Sequence, residues 1–220
     1  MVKKITAIFL VVMFISGCGT VSTVRTLPEG ERALSFSLGG PVATLPGIAD
    51  LPLPYTTLRY RWGVVENLEA HIGLHPTMLA FGTLGLDVGL AYEFLHQNGA
   101  IPSVCVGLNP TMWLNPFNSD GLGAAPSADL VASWFVHPRI LVYAGGQAFF
   151  QLEKPYVPWV ALIGSEFKLG KYLGLGLEIK WYAPLQDSEF RVVNFPLSPG
   201  NRGAFGIVLG MSLYTGGGND

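Results

Sequence analysis

Strict alternation of apolar residues with small or charged ones governs this chain. In "YLGLGLEIKWY", Leu173, Leu175, Leu177, Ile179 and Trp181 fall on one face, and Gly174, Gly176, Glu178 and Lys180 on the other. "TLGLDVGLAYEF" repeats the pattern, with Leu84, Leu86, Val88, Leu90, Tyr92 and Phe94 opposite Gly85, Asp87, Gly89, Ala91 and Glu93. "NLEAHIGLH" sets Leu68, Ala70, Ile72 and Leu74 against Glu69, His71, Gly73 and His75. "AFGIVLGMSLY" alternates Phe205, Ile207, Leu209, Met211 and Leu213 with mostly small residues. A period of two marks a strand, whose successive side chains point to opposite faces. Each of these strands has one wholly apolar face.

Such segments recur near 31–39, 55–63, 67–75, 83–94, 101–109, 127–136, 139–150, 159–169, 172–182 and 203–214. Most match the ~9–11 residues that a tilted strand needs to cross a bilayer. The connections "VVE", "LHQNGA", "HP" and "GK" are short, whereas the gaps around 40–54, 76–82, 110–126, 151–158 and 183–202 are longer. Charged residues make up 13% of the chain, against about a quarter in ordinary soluble domains, and mean hydropathy is +0.40. After residue 17 no stretch approaches the ~20 apolar residues of a membrane helix. Abundant glycine (28) and proline (16) also oppose long helices. The expected fold is all-β: a single up-and-down antiparallel transmembrane β-barrel of about ten strands over 31–214, followed by a flexible tail at 215–220. An even strand count puts both chain ends on the short-turn side.

The first seventeen residues read as a targeting segment. Lys3 and Lys4 form a basic start, Ile5 to Ile15 an apolar run broken only by Thr6, and Ser16 and Gly17 precede Cys18. Ile15-Ser16-Gly17-Cys18 resembles the lipobox of bacterial lipoproteins, residue for residue. The resemblance implies a signal peptide over 1–17 that is cleaved, with diacylglycerol on the Cys18 thiol and an N-acyl chain (palmitate, for example) on the new N-terminus. Gly19 is not the aspartate that retains such lipoproteins in the inner membrane of enteric bacteria, so delivery to the outer membrane is implied. Residues 18–30, small and polar, read as a lipid-anchored linker. A lipid on Cys18 leaves Cys105 without a disulfide partner.

The whole of 31–214 resembles, in pattern, small bacterial outer-membrane β-barrels, and "RYRWGVVENLEAHIGL" is similar to their hairpins. Such barrels carry aromatic girdles at both interfaces. Trp62, Tyr92, Phe94, Trp134 and Tyr172 fall at the short-turn ends, and Tyr55, Trp159 and Trp181 at the opposite ends. Chains of this kind commonly end on an aromatic residue, whereas here "TGGGND" follows Tyr214. The resemblance implies partners in outer-membrane lipids and in the barrel-assembly and lipoprotein-sorting machinery of a Gram-negative cell.

The charges lie opposite the aliphatic rows. Arg59, Arg61, Glu69, His71, His75, Asp87, Glu93, Asp129, Glu166, Lys168, Glu178 and Lys180 all take the face that a membrane barrel turns inward. Across "VVE", Arg61 is expected to oppose Glu69, and Arg59 to oppose His71. In a narrow barrel these groups form a structural network that fills the lumen. The alternation alone fits equally a barrel turned inside out, a soluble periplasmic lipoprotein whose aliphatic rows line a lipid cavity. Strand length, aromatic placement and composition favour the membrane form.

Other function classes find little support. Losing Lys3 and Lys4 and no acid takes the formal net charge from −2 to −4, so no basic patch invites nucleic acid. His71 and His75 lie ~13 Å apart along a strand, too far to chelate one metal. No serine sits in a nucleophile motif, and the acids Asp120, Glu153, Asp187 and Glu189 of the longer loops have no histidine among them. No enzyme activity, metal or cofactor is expected beyond the covalent lipid on Cys18. The longer loops are instead apolar and proline-rich, as in "GGPVATLPGIADLPLPY" and "PTMWLNPFNSDGLGAAP". They suit a lid over the barrel mouth or a docking surface for a hydrophobic ligand or partner. The expected role is structural or interactive, with a narrow pore or a rim enzyme as lesser alternatives.

Overall fold

The computed structural model describes residues 21–45, 49–52, 54–115, 122–150, 159–187 and 202–215. The lipobox with Cys18, and Asp120, Glu153 and Glu189, lie outside them. Thirteen strands and one short helix, α1 (Pro76–Ala80), are present among the described residues. Ten of the strands close a barrel: β1 (Arg32–Leu45), β3 (Thr56–Val65), β4 (Leu68–Leu74), β5 (Leu84–Leu95), β6 (Ser103–Leu108), β9 (Ser127–His137), β10 (Ile140–Phe149), β11 (Trp159–Leu169), β12 (Leu173–Asp187) and β13 (Arg202–Thr215). Each pairs antiparallel with its neighbours in this order, and β13 returns to β1, so the ten-stranded ring closes on itself.

Both chain ends of the barrel lie together, since Arg32 pairs with Thr215 on one side and Trp62 on the other. The tight turns β3–β4, β9–β10 and β11–β12 share that end. Asn67 adopts φ 65° in the first of them, a conformation its short polar side chain tolerates. At the opposite, long-loop end the strands run on past the barrel. β2 (Ala49–Pro52) folds back on β1, while β7 (Thr111–Leu114) and β8 (Leu122–Ala125) pair with each other and β7 with the start of β5. The sequence pattern takes 110–126 as a loop. Instead, a proline punctuates each strand, Pro110 between β6 and β7 and Pro126 between β8 and β9, because proline cannot donate to the ladder.

The alternation settles as a polar interior and an apolar exterior. Ile163 is 57% exposed, Leu209 54% and Leu177 40%, whereas Glu69, Asp87, Glu178 and Lys180 are fully buried. The aliphatic rows face outward all around the barrel, through Phe36, Ile72, Leu90, Leu130 and Ile179 among others. This corrects the alternative of a soluble barrel with an apolar cavity, since that arrangement needs the same rows inside. A monomer in water rarely exposes more than a few hundred Å² of contiguous apolar surface. Of the expected girdle residues, Tyr92, Phe94, Tyr172 and Trp159 are exposed, but Tyr55 turns inward and is 3% exposed.

Candidate functional site in the barrel lumen

Nearest the long-loop end, one acid organises the lumen. Asp87 on β5 lies across the ladder from Gly73 on β4, where any Cβ would collide with its carboxylate. Arg59 Nε donates to Asp87 Oδ1 at 2.8 Å. His71 Nε2 lies 3.2 Å from the same oxygen, and His75 Nε2 lies 2.8 Å from Oδ2. The Tyr55 hydroxyl closes the chain on His75 Nδ1 at 2.5 Å. Two histidines four residues apart, His71 on β4 and His75 just past its end, thus bracket one carboxylate. Beside them Asn109 bonds Asp129, and Ser127 Oγ donates to the Asn109 carbonyl at 2.9 Å.

Deeper in, Lys180 Nζ sits 3.1 Å from Glu178 Oε1, and both side chains are fully buried. At the short-turn end Arg61 holds Glu69 with two bonds of 2.7 and 2.8 Å. Glu93 accepts from Ser103 Oγ at 2.6 Å, and Glu166 from the Tyr214 hydroxyl at 2.7 Å. Buried ions persist only when paired and hydrogen-bonded, since breaking such a pair from one side costs ~3–5 kcal/mol.

The expected pairing across "VVE" is corrected in one respect. A register shift between Gly63 and Val65 places Glu69 opposite Gly63, His71 opposite Arg61 and Gly73 opposite Arg59. Arg61 therefore reaches Glu69 diagonally, and Arg59 takes Asp87 as its bonded partner while His71 approaches the same carboxylate.

The segment expected to be a linker does something different. Residues 21–28 run into the lumen from the short-turn end as an extended strap. The chain reverses at Gly30, whose φ of 78° suits glycine, and Gly30 N–H donates to the Gly63 carbonyl at 3.0 Å. The strap is then held largely by its own backbone. Leu27 N–H donates to Glu69 Oε2 at 3.0 Å, and Ser22 N–H to Glu178 Oε2 at 3.2 Å. In the other direction Arg61 Nη2 donates to the Arg25 carbonyl at 3.3 Å, and Arg59 Nη1 to that of Val21 at 3.4 Å. The Arg25 side chain donates to Ser133 and Gln97 and lies over the Phe135 ring. Val24 packs on Val131, Leu141, Tyr143 and Leu162. Thus Arg59, Arg61, Glu69 and Glu178, which the charge pattern places on the inward face, double as the strap's hydrogen-bonding groups. Their alternation signals an inward face, but no spacing in the sequence announces that a backbone will dock there.

The lumen is filled only in part by side chains. Beside the strap a cavity of about 490 Å³ remains, lined among others by Ser35, Arg61, Glu166, Gly176, Gly210 and Tyr214. The glycine and serine faces of β1, β12 and β13 leave this space. Among the described residues no group of three or more histidine, cysteine, aspartate or glutamate side chains could hold a metal, and the free thiol of Cys105 is buried.

No family model matches the chain, and no curated protein does. Among solved structures, an outer-membrane channel from Pseudomonas putida F1 is 10% identical, with 89% of this chain and 100% of that one covered at a TM-score of 0.48. The translocator domain of the autotransporter NalP from Neisseria meningitidis is 12% identical over 96% and 97% of the two chains, with a TM-score of 0.38. The CymD monoaromatic hydrocarbon channel is 11% identical over 88% and 90%, with a TM-score of 0.36. All three are bacterial outer-membrane barrel proteins. The closed ten-stranded barrel of this chain rests on its own strand pairing.

Proposed function

We propose that this chain is a lipid-anchored β-barrel of the bacterial outer membrane with a structural or interaction role. The observation that carries the reading is the outward belt of aliphatic side chains around a lumen of paired charges. Strands of this length, tilted, match the hydrocarbon core. In this reading the short-turn end faces the periplasm and the longer loops face outward. Ile15-Ser16-Gly17-Cys18 supports anchoring through acylated Cys18 from the periplasmic side. The partners are then outer-membrane lipids and the assembly and sorting machineries, with the apolar outer loops available to a hydrophobic ligand or partner.

The protein is not an enzyme in this reading and needs no cofactor beyond its lipid. Tyr55, His75 and Asp87 are each 3% exposed or less; the Tyr55 hydroxyl meets His75 Nδ1, and His75 Nε2 and Arg59 Nε both lie 2.8 Å from the Asp87 carboxylate. Fractionation tests the membrane reading. The Cys18→Ala protein, cut by ordinary signal peptidase, is expected to stay in the membrane and to need detergent. Its release into the soluble periplasm would overturn the transmembrane barrel and leave only an anchor.

A further inference from the structure

The strap lies inside a barrel of ladders and joins none of them. Residues 21–28 pair with no strand among the described residues. The Val21 and Arg25 carbonyls accept from Arg59 and Arg61, and the Ser22 and Leu27 amides donate to Glu178 and Glu69. The backbone N–H and C=O groups of Thr23, Val24 and Thr26 have no partner among the described residues. Yet Thr23 and Val24 are only 7% and 5% exposed. Buried backbone groups are almost always paired, with protein or with ordered water. All three residues border the cavity beside the strap.

Where β1, β12 and β13 wall that cavity, side chains are nearly absent. Gly176 pairs with Gly210 and Gly210 with Ser37, while Gly174 pairs with Ser212 and Ser212 with Ser35. At Gly176 the space is open, since an added Cβ would find nothing nearer than the Gly210 Cα at 3.8 Å. Gly170 and Lys171 of the β11–β12 turn also border the cavity, so it reaches the short-turn end. Its volume of about 490 Å³ is that of a ligand site, ~300–1,000 Å³. One charge in it has no counter-ion. Lys168 Nζ lies 5.2 Å from the centre of the Phe135 ring, and among the described residues no carboxylate forms an ion pair with it. Glu166, two residues earlier on the same face, accepts from the Tyr214 hydroxyl instead.

We propose that this cavity takes an extended peptide segment with small side chains and one carboxylate, entering from the short-turn end. The peptide main chain pairs with the unpartnered groups of Thr23, Val24 and Thr26, as a strand adds to an open edge. Donors and acceptors recurring along one backbone match those of another backbone, which a sugar or a simple anion does not reproduce. Paired backbones lie ~4.8 Å apart, and a wall of glycine and serine leaves room for the second one. The carboxylate meets Lys168. The inference deepens the interaction role proposed above and rests on that reading for the compartment, the periplasm.

Calorimetric titration of the purified, folded full chain with acetyl-Ser-Thr-Gly-Thr-Asp-amide tests the site. Two further peptides, methylated at alternate amide nitrogens in the two possible phases, keep the side chains and lose half the donors. Saturable binding below about 1 mM is expected. In one phase methylation should weaken it about tenfold, the effect of losing one or two hydrogen bonds. Gly176→Val fills the open space and is expected to weaken binding at least as much, with the melting temperature unchanged. Asparagine in place of the peptide's acid should weaken binding to the native protein but not to Lys168→Gln. No saturable binding, equal binding of all three backbones, or full affinity in Gly176→Val would overturn the peptide site. The methylated peptides need no variant, so the test survives a misfolded Gly176→Val. Equal affinity for the acid and amide peptides in the native protein would overturn the part given to Lys168. Fractionation scores the membrane reading separately, because calorimetry reads the purified barrel whatever its compartment.

Discussion

Arg61 grips Glu69 with two nearly parallel bonds, Nε to Oε1 at 2.7 Å and Nη2 to Oε2 at 2.8 Å, although the two residues are not partners in the ladder. The diagonal reach leaves Glu69 Oε2 positioned to take the Leu27 amide as well. Glu69 thus ties the wall of the barrel to the strap. Arg61→Ala strands a fully buried carboxylate, and loss of one partner from a buried pair costs ~3–5 kcal/mol. Arg61→Leu with Glu69→Gln leaves no ion unpaired and retains an acceptor for Leu27. The single variant is expected to unfold at the lower temperature in a gel-mobility melt. The reverse order would show that the pair does not stabilise the lumen.

Outer and inner faces predict opposite tolerance at adjacent positions. Leu177 points outward at 40% exposure, while a Cβ on Gly176 would find nothing nearer than the Gly210 Cα at 3.8 Å. A basic residue at mid-bilayer depth costs ~2–4 kcal/mol, so Leu177→Arg is expected to block assembly and Gly176→Ala to be mild. Equal tolerance, with normal heat-modifiable mobility for both, would refute the transmembrane assignment.

The strap has its own weak point at Gly63. A methyl group there would meet the backbone carbonyls of Pro28 and Leu27, which no side-chain rotation can relieve. Gly63→Ala is expected to loosen the root of the strap and open the bond after Arg25 to trypsin. Continued resistance with an unchanged barrel would mean that the strap is not seated where Gly63 and Pro28 touch.

Asp87 is the most heavily shared group in the lumen. Arg59, His71 and His75 all converge on its two oxygens. Asp87→Asn removes the charge and leaves Arg59 buried without its counter-ion, a loss of ~3–5 kcal/mol. Adding Arg59→Met is expected to recover much of it, because the pair then disappears together. If the double variant is no more stable than Asp87→Asn, the burden lies with the histidines rather than with Arg59.

The barrel was readable in the sequence because its physics is local. In β12, Leu173 to Trp181 alternates against Gly174 to Lys180 without interruption, and the same rows appear outside and inside the wall. What escaped the pattern depends on long-range geometry. The register at Gly63 and Val65 shifts through an irregularity that alternation does not encode. Tyr55 has the look of an interfacial aromatic, yet its hydroxyl finds His75 twenty residues away. The strap is the extreme case. Its small polar composition fits a solvated linker, and its anchors are backbone amides and carbonyls, which every sequence possesses. Only the charges waiting on the inner faces of β3, β4 and β12 give those groups a place to dock.

Those same charges bear on conduction. A ten-stranded lumen is narrow, and wide aqueous channels appear at ~16 strands. Here the strap crosses the short-turn half, and the Tyr55–His75–Asp87–Arg59 cluster occupies the long-loop half. An ion moving through would have to displace a backbone held by Glu69 and Glu178, then pass a carboxylate already shared by three side chains. The 490 Å³ cavity lies beside the strap, and its border does not include Tyr55, His75 or Asp87. The protein is therefore expected to be silent in planar-bilayer recordings. Steady single-channel steps whose ion selectivity shifts with Arg61→Gln would overturn the plugged lumen and make this a small pore, because Arg61 borders the cavity and the strap alike.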